Sequence, residues 1–233
     1  MKNHFILFLG LSLSVSTFGQ DSTTHQVDTA QAVTGTRHSL SAKKIIFPAV
    51  MFTYGILRPE VQPIRKLDFT IRNDIVKDHP GFSAKIDEAL QWTPTAALFI
   101  TDAFGVKTMH TTKQHLALHV MSGVVMTATI FTLKGMSHRM RPDSSNRKAF
   151  PSGHTANAFR GADILYQELK HTNHILAFSG YAAAAATGVL RIYNNKHWFS
   201  DVVTGAGIGF LSSRVSYWIM EKRTRKKQLA TGF

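Results

Sequence analysis

The chain has 233 residues, with 27 Lys and Arg against 14 Asp and Glu, a formal net charge of +13. Hydrophobic residues make up 44%, which excludes a disordered chain, and the length suits one domain with a sizeable core plus an extension. The absence of cysteine excludes disulfides, thiol catalysis and cysteine metal ligands, while the positive excess points to anionic partners such as phosphate, anionic lipid or nucleic acid.

Residues 1–19 carry Lys2, the apolar run FILFLGLSLSV and small residues at Ser16, Thr17 and Gly19. This pattern predicts a secretory signal peptide cleaved after Gly19, because the run is short for a membrane anchor. Residues 20–43 are rich in Thr, Ser and Gln without apolar periodicity and are expected to form a flexible leader. Residues 44–92 read as an N-terminal helical extension. Ile45 to Leu57 is a compact apolar run ended by Arg58-Pro59, and Leu67 to Leu90 is split into two short helices by the turn signal Asp78-His79-Pro80-Gly81.

Residues 93–222 read as a helical-bundle domain. Pro94 to Gly105 is a short apolar helix. His115 to Lys134 is the longest and the best candidate for a membrane span, since no charged residue lies between Lys113 and Lys134. A basic loop runs from Lys134 to Pro151; helix resumes at Ser152 and continues to about Lys170. His174 to Leu190 is apolar and alanine-rich, and Trp198 to Met220 is the last helix, with Gly205 and Gly209 placed to let a neighbour approach closely. Residues 223–233 form a basic tail. No stretch alternates at period two over several strands, so the fold class is all-α, a bundle of about six to seven helices.

Three clusters carry the chemistry: Lys134-x6-Arg141-Pro142, Pro151-Ser152-Gly153-His154, and Arg191-x5-His197-x3-Asp201. Antiparallel neighbours joined by short turns bring the end of one helix at Lys134, the start at Ser152, the end at Arg191 and the start near His197 to one end of the bundle. A phosphate ester placed there meets three cations, Lys134, Arg141 and Arg191, of which the arginines can each bind two oxygens. Ser152 and Gly153 open a helix whose unpaired amides suit an anion. His197, with Asp201 four residues on to hold its tautomer, is the candidate nucleophile, and His154 the candidate acid and base for the leaving oxygen and the attacking water. No metal or other cofactor is called for, since the cations already neutralise the phosphoryl group.

These clusters resemble the three motifs of the type 2 phosphatidic acid phosphatase superfamily, shared with bacterial class A acid phosphatases and vanadium haloperoxidases: Lys-x6-Arg-Pro, Pro-Ser-Gly-His and Ser-Arg-x5-His-x3-Asp. The resemblance covers roughly Pro94 to Met220. It implies a helical bundle and metal-independent phosphohydrolysis through a phosphohistidine, with His197 as nucleophile, Asp201 as its partner, His154 as acid and base, and Lys134, Arg141, Ser152, Gly153 and Arg191 binding phosphate. One position departs: Leu190 stands where the third motif usually has serine, which removes a hydroxyl donor and implies weaker phosphate binding or an adjusted pocket.

The leading expectation is therefore an exported phosphohydrolase acting on a phosphate monoester or diphosphate, lipid-linked by virtue of the apolar helices and basic rim. Its catalytic end would face the periplasm, either in the membrane or free, and no nucleic-acid partner is expected. The alternatives are a soluble periplasmic acid phosphatase of broad specificity, favoured by Arg160, Asp163 and Glu168 on the helix after His154; a vanadium-dependent haloperoxidase; and a non-enzymatic basic lipid-binding protein. His115 and His119, four apart, could share one face as metal ligands, but no third ligand is evident nearby.

Overall fold

A computed structural model describes residues 42–231. The signal peptide predicted over residues 1–19, the leader up to residue 41 and the last two residues of the tail lie outside the described residues. Eight α-helices make up the ordered elements of the described residues: α1 (Ala42–Ile56), α2 (Gln62–Asp78), α3 (Ile86–Leu90), α4 (Thr93–Ala103), α5 (Thr112–Ser137), α6 (Gly153–Leu169), α7 (His174–Tyr193) and α8 (Phe199–Thr231). The all-α bundle is as expected, with eight helices rather than six to seven; the five-residue α3 is a separate element after the turn at Gly81 (φ 76°). Helix α1 starts within the stretch expected to be leader, and α8 runs through the basic tail, whose residues from Lys222 to Lys227 continue its helical register.

Helix α6 is the axis of the bundle. It packs most extensively on α7 and α8 and also touches α4 and α5, so nearly every residue from Thr155 to Leu169 is buried. Leu98, Leu118, Ile164, Leu165, Leu169, Ala177 and Tyr217 form the main apolar cluster, drawn from five of these helices. Close crossings depend on glycine. A Cβ on Gly205 would lie 2.5 Å from the Ser152 carbonyl oxygen, and one on Gly209 would strike the backbone of Ala156 and Arg160. Gly207 plays the same part against α1, where a Cβ would meet Phe52 and Pro48 backbone atoms. These contacts fix α8 against the first turn of α6, which is where the second motif sits.

The buried polar residues of α6 are paired inside the bundle. Arg160 donates to His119, Ser122 and Asn157; Asp163 takes Tyr181 and Arg214; Glu168 takes His110, His115 and Tyr217. Charges on α6 therefore face protein, and they no longer weigh for a soluble protein against a membrane one. Two of the described helices, α5 and α7, are long and apolar enough to cross a membrane. Both also leave large side chains exposed: Leu116, Val120, Val124 and Phe131 on α5, Ile175, Phe178 and Val189 on α7. An apolar surface of that extent suits lipid better than water.

Candidate active site

Four helix ends meet. The Thr111 capping box starts α5, and no proline or Asp, Glu, Lys or Arg interrupts it between Lys113 and Lys134, so its last turn delivers the first motif. Lys134 Nζ then donates to the Lys148 carbonyl at 2.6 Å, folding the 138–152 loop back over the helix end. The Ser152 amide bonds the Asp201 carbonyl at 3.1 Å, which ties the start of α6 to the start of α8. The amides of Lys196 and His197 bond the Arg191 carbonyl at 3.1 and 3.3 Å, so the end of α7 turns directly into α8. The three motifs are thereby brought to one end of the bundle.

Of the cations, Arg141 is half-buried, and its guanidinium has no ion-pair or hydrogen-bond partner among the described residues. It lies close enough to Arg191 for mutual repulsion, and Lys134 is within electrostatic reach of both. Three converging cations with one uncommitted are unfavourable without an anion between them, an arrangement suited to an anionic ligand. Arg191 is buried and held by Asp87 of α3, Nη1 to Oδ2 at 2.6 Å, with Asn194 bracing the same carboxylate at 3.3 Å. The amides of Gly153 and His154 have no helical acceptor and point off the start of α6, adding two donors. Ser152 is fully buried, and its hydroxyl pairs with Thr155 Oγ1 at 2.8 Å as the helix cap. The Ser152 amide, expected among the unpaired donors, is taken by the Asp201 carbonyl, so the donors at this helix start are those of Gly153 and His154.

His197 is buried, and its Nδ1 lies 2.6 Å from the Ala149 carbonyl oxygen. A carbonyl only accepts, so Nδ1 carries the proton and Nε2 keeps its lone pair. Nε2 has no hydrogen-bond partner among the described residues. The Asp201 carboxylate, expected to bond the ring, stands 3.7 Å from Nδ1. Its own oxygens accept the Trp198 amide at 2.8 Å and Arg139 Nη1 at 2.6 Å. Burial, with Lys134 and Arg191 nearby, holds His197 below the usual imidazole range against the pull of Asp201. His154 is half-buried and lowered to about 4, by burial first and then by Arg191; Asp87 opposes, and His197 and Arg141 add to the lowering. Both rings are therefore neutral at neutral pH, and an incoming dianion raises the proton affinity of each.

Four contributors had no signal in the motif spacing: Asp68 and Asp87 from the N-terminal extension, Arg139 from inside the first motif, and the Ala149 carbonyl. Only Arg139 left a trace, as one more basic residue in a basic loop. His115 is enclosed by Asp102 and Glu168, 2.8 and 3.0 Å from its two nitrogens, and His119 Nδ1 faces Arg160 at 3.1 Å. Neither ring is disposed as a metal ligand.

Residues 134–225 match the PAP2 superfamily, a narrower stretch than the span of the resemblance read from the motifs. A lipid A 1-phosphatase of Porphyromonas gingivalis is 34% identical over 191 residues, 79% of this chain and 38% of that protein. A putative phosphatidate phosphatase of Drosophila melanogaster is 32% identical over 94 residues, 36% of this chain and 25% of that protein. The chain thus spans well under half the length of either relative. Among solved structures, a transmembrane PAP2-type phosphatidylglycerolphosphate phosphatase from Bacillus subtilis superposes with a TM-score of 0.53 at 20% identity, covering 76% of this chain and 96% of that one. That likeness is one of fold.

Proposed function

We infer, for a chain whose residues 134–225 belong to the PAP2 superfamily, that it hydrolyses a lipid-linked phosphate monoester or diphosphate through a phosphohistidine on His197. The observation that carries this is the buried imidazole with its proton pinned on Nδ1 and its Nε2 unpartnered, beside three cations of which Arg141 is uncommitted. In the first step Nε2 forms a bond to phosphorus while the bond to the leaving oxygen breaks, and protonated His154 gives that oxygen its proton. The ring becomes positive, and Asp201 at 3.7 Å supports that charge. In the second step water attacks phosphorus, His154 takes its proton, the N–P bond breaks and inorganic phosphate leaves. Lys134, Arg141, Arg191 and the first amides of α6 hold the non-bridging oxygens through both steps.

A lipid substrate is supported by the apolar faces of α5 and α7 and by the kind of the two relatives, a lipid A 1-phosphatase and a putative phosphatidate phosphatase. The signal-peptide pattern in the sequence of residues 1–19 and a basic α8 end, roughly 35 Å by helical rise from the start of the same helix, support a membrane protein with its site on the periplasmic side and its basic end on the cytoplasmic side. The test is phosphate release from lipid A, phosphatidate, isoprenyl diphosphate and soluble esters by the purified chain and by His197→Ala. Turnover that survives His197→Ala, or a wild-type enzyme that never carries acid-labile phosphate on His197 during turnover, sinks the mechanism. Release from soluble esters alone sinks the lipid assignment.

A further inference from the structure

Arg139 lies in the first motif between Lys134 and Arg141, yet its guanidinium is taken up by protein. Nη2 reaches Asp68 Oδ2 at 2.6 Å; Nη1 reaches Asp201 Oδ1 at 2.6 Å and Ser200 Oγ at 3.0 Å. Its plane lies over the rings of Phe150 and Trp198, with Cζ 5.9 and 5.8 Å from their centroids. Its backbone acts too: the Ala149 amide donates to the Arg139 carbonyl at 3.0 Å, and the Ala149 carbonyl is the group that takes the His197 Nδ1 proton. One residue thus fixes both groups facing Nδ1, the carbonyl through its main chain and the carboxylate through its side chain.

Asp68, on α2 and outside the family match, anchors the arrangement. It is buried and accepts Arg58 Nε at 3.1 Å, the Ser200 amide at 2.8 Å and Ser200 Oγ at 2.7 Å in addition to Arg139. Two carboxylates, Asp68 and Asp201, share one guanidinium. A planar fork suits that bridging; a lysine ammonium does not.

We propose that Arg139, anchored on Asp68, is a positioning residue that sets the tautomer and basicity of His197 by holding the Ala149 carbonyl in place and drawing the Asp201 carboxylate away from the ring. It touches neither substrate nor phosphorus. The proposal rests on the reading of His197 as nucleophile. The charged groups facing that ring are Lys134 from α5, His154 from α6, Arg191 from α7 and Asp201 from α8, and Arg139 acts on the last of these. Without its guanidinium, Asp201 is fully available to the ring, and His197 keeps its proton to higher pH.

The test uses the full chain with Arg139→Met, Arg139→Lys and Asp68→Asn, assayed on a water-soluble phosphate ester and examined by 15N NMR of the histidine rings. The expected result for Arg139→Met is a kcat lower by about 10- to 100-fold, short of the roughly 10⁴-fold that a wholly wrong tautomer costs a histidine-dependent enzyme. KM should stay within about twofold, and the acid limb of kcat/KM should move up by about one pH unit. Asp68→Asn should move both readouts the same way by less, and Arg139→Lys should fail to restore them. The wild-type ring of His197 should show the Nδ1-protonated tautomer, and in Arg139→Met the same ring should hold its second proton to higher pH. A folded Arg139→Met or Asp68→Asn protein with an unchanged acid limb and an unchanged His197 NMR titration overturns the proposal, as does a rise in KM at constant kcat, which would make Arg139 a phosphate ligand. A wild type that turns over nothing overturns the phosphatase reading instead, and the His197 NMR titration in wild type and variant still decides the role of Arg139.

Discussion

Asp87 Oδ2 and Arg191 Nη1 lie 2.6 Å apart in a buried pair, so the guanidinium expected to grip phosphate already has an anion from α3 at its back. The pair joins the N-terminal extension to the third motif. It leaves the rest of the arginine fork for the ligand. Asp87 is also the one anion raising the proton affinity of His154, against Arg191, His197 and Arg141.

Removing that charge separates binding from proton transfer. Asp87→Asn leaves Arg191 more strongly cationic toward the ligand, so inorganic phosphate should inhibit as well as or better than it does the wild type. His154, which must be protonated to release the leaving oxygen, loses the group that favours its charged form. The basic limb of the kcat profile should therefore move to lower pH, by about one unit, and kcat at neutral pH should drop about tenfold. Phosphate inhibition and a pH–rate series on one preparation measure both. Weakened inhibition with an unmoved basic limb would make Asp87 a purely structural anchor.

The depressed histidines also set how the empty protein responds to acid. His154, lowered to about 4, and His197, lowered as well, stay neutral in the folded state while the unfolded chain takes up protons near the ordinary imidazole value of about 6.5. Groups with folded values below their unfolded ones contribute stability above about pH 6.5 and lose it as pH falls toward 4. The thermal midpoint of the ligand-free protein should fall across that window, and His154→Gln should lessen the fall. Phosphate reverses the sign for both rings by favouring their charged forms, so its stabilising effect should grow toward acid pH. A phosphate-induced shift in midpoint that is flat from pH 7 to 5 would show that the anion binds away from His154.

The sequence carried the catalytic half of this arrangement and little of its support. Lys134, Arg141, His154, Arg191, His197 and Asp201 were legible because each sits at a fixed spacing inside a short motif next to a helix end, and alternating helix directions bring such ends together. Asp68 and Asp87 were not, since a single carboxylate among surface-like charges on α2 and α3 has no local signature; only the tertiary contacts with Ser200 and Arg191 give it a role. The Asp201 assignment shows a finer limit. Four-residue spacing placed the carboxylate near the ring correctly, but which group takes the Nδ1 proton depends on the backbone of Ala149, and no residue type announces a carbonyl. Likewise Arg160, Asp163 and Glu168 read as charges opposed to a membrane location, and only their buried partners cancel that reading.

The crossing of α8 over α6 offers a test of position without touching any charged group. A Cβ on Gly205 would lie 2.5 Å from the Ser152 carbonyl oxygen and 3.3 Å from Ser152 Cβ and Thr155 Cβ. Backbone cannot yield as a flexible side chain does, so Gly205→Ala should push the Pro151–His154 turn off α8 and cost about 1–3 kcal/mol in stability. Activity should fall further than stability explains, by about 100-fold, because an error near 1 Å in the turn misplaces His154 and two amides together. Gly135, with open space around it, supplies the control: Gly135→Ala should leave the thermal midpoint and turnover at least at wild-type values. Equal effects of the two substitutions would show that the α6–α8 contact does not set the geometry of the second motif.

The polar cluster at the other end of the bundle should dissociate stability from catalysis. Glu168 joins His110, His115 and Tyr217, with distances of 2.8, 3.0 and 2.6 Å, and through them α5, α6, α8 and the segment before α5. His115 lies nineteen residues before Lys134 on α5, roughly 28 Å by helical rise. Glu168→Ala removes the acceptor shared by two imidazoles and a phenol in a buried space, a loss on the order of 3–5 kcal/mol. Glu168→Gln keeps an acceptor and should cost less. At a temperature where the variants remain folded, kcat and the pH profile should match the wild type, because none of these groups faces His154 or His197. A Glu168→Gln protein with wild-type thermal midpoint but altered kcat would mean instead that the buried chain from Glu168 through His119, Arg160 and Asn157 couples to the catalytic end.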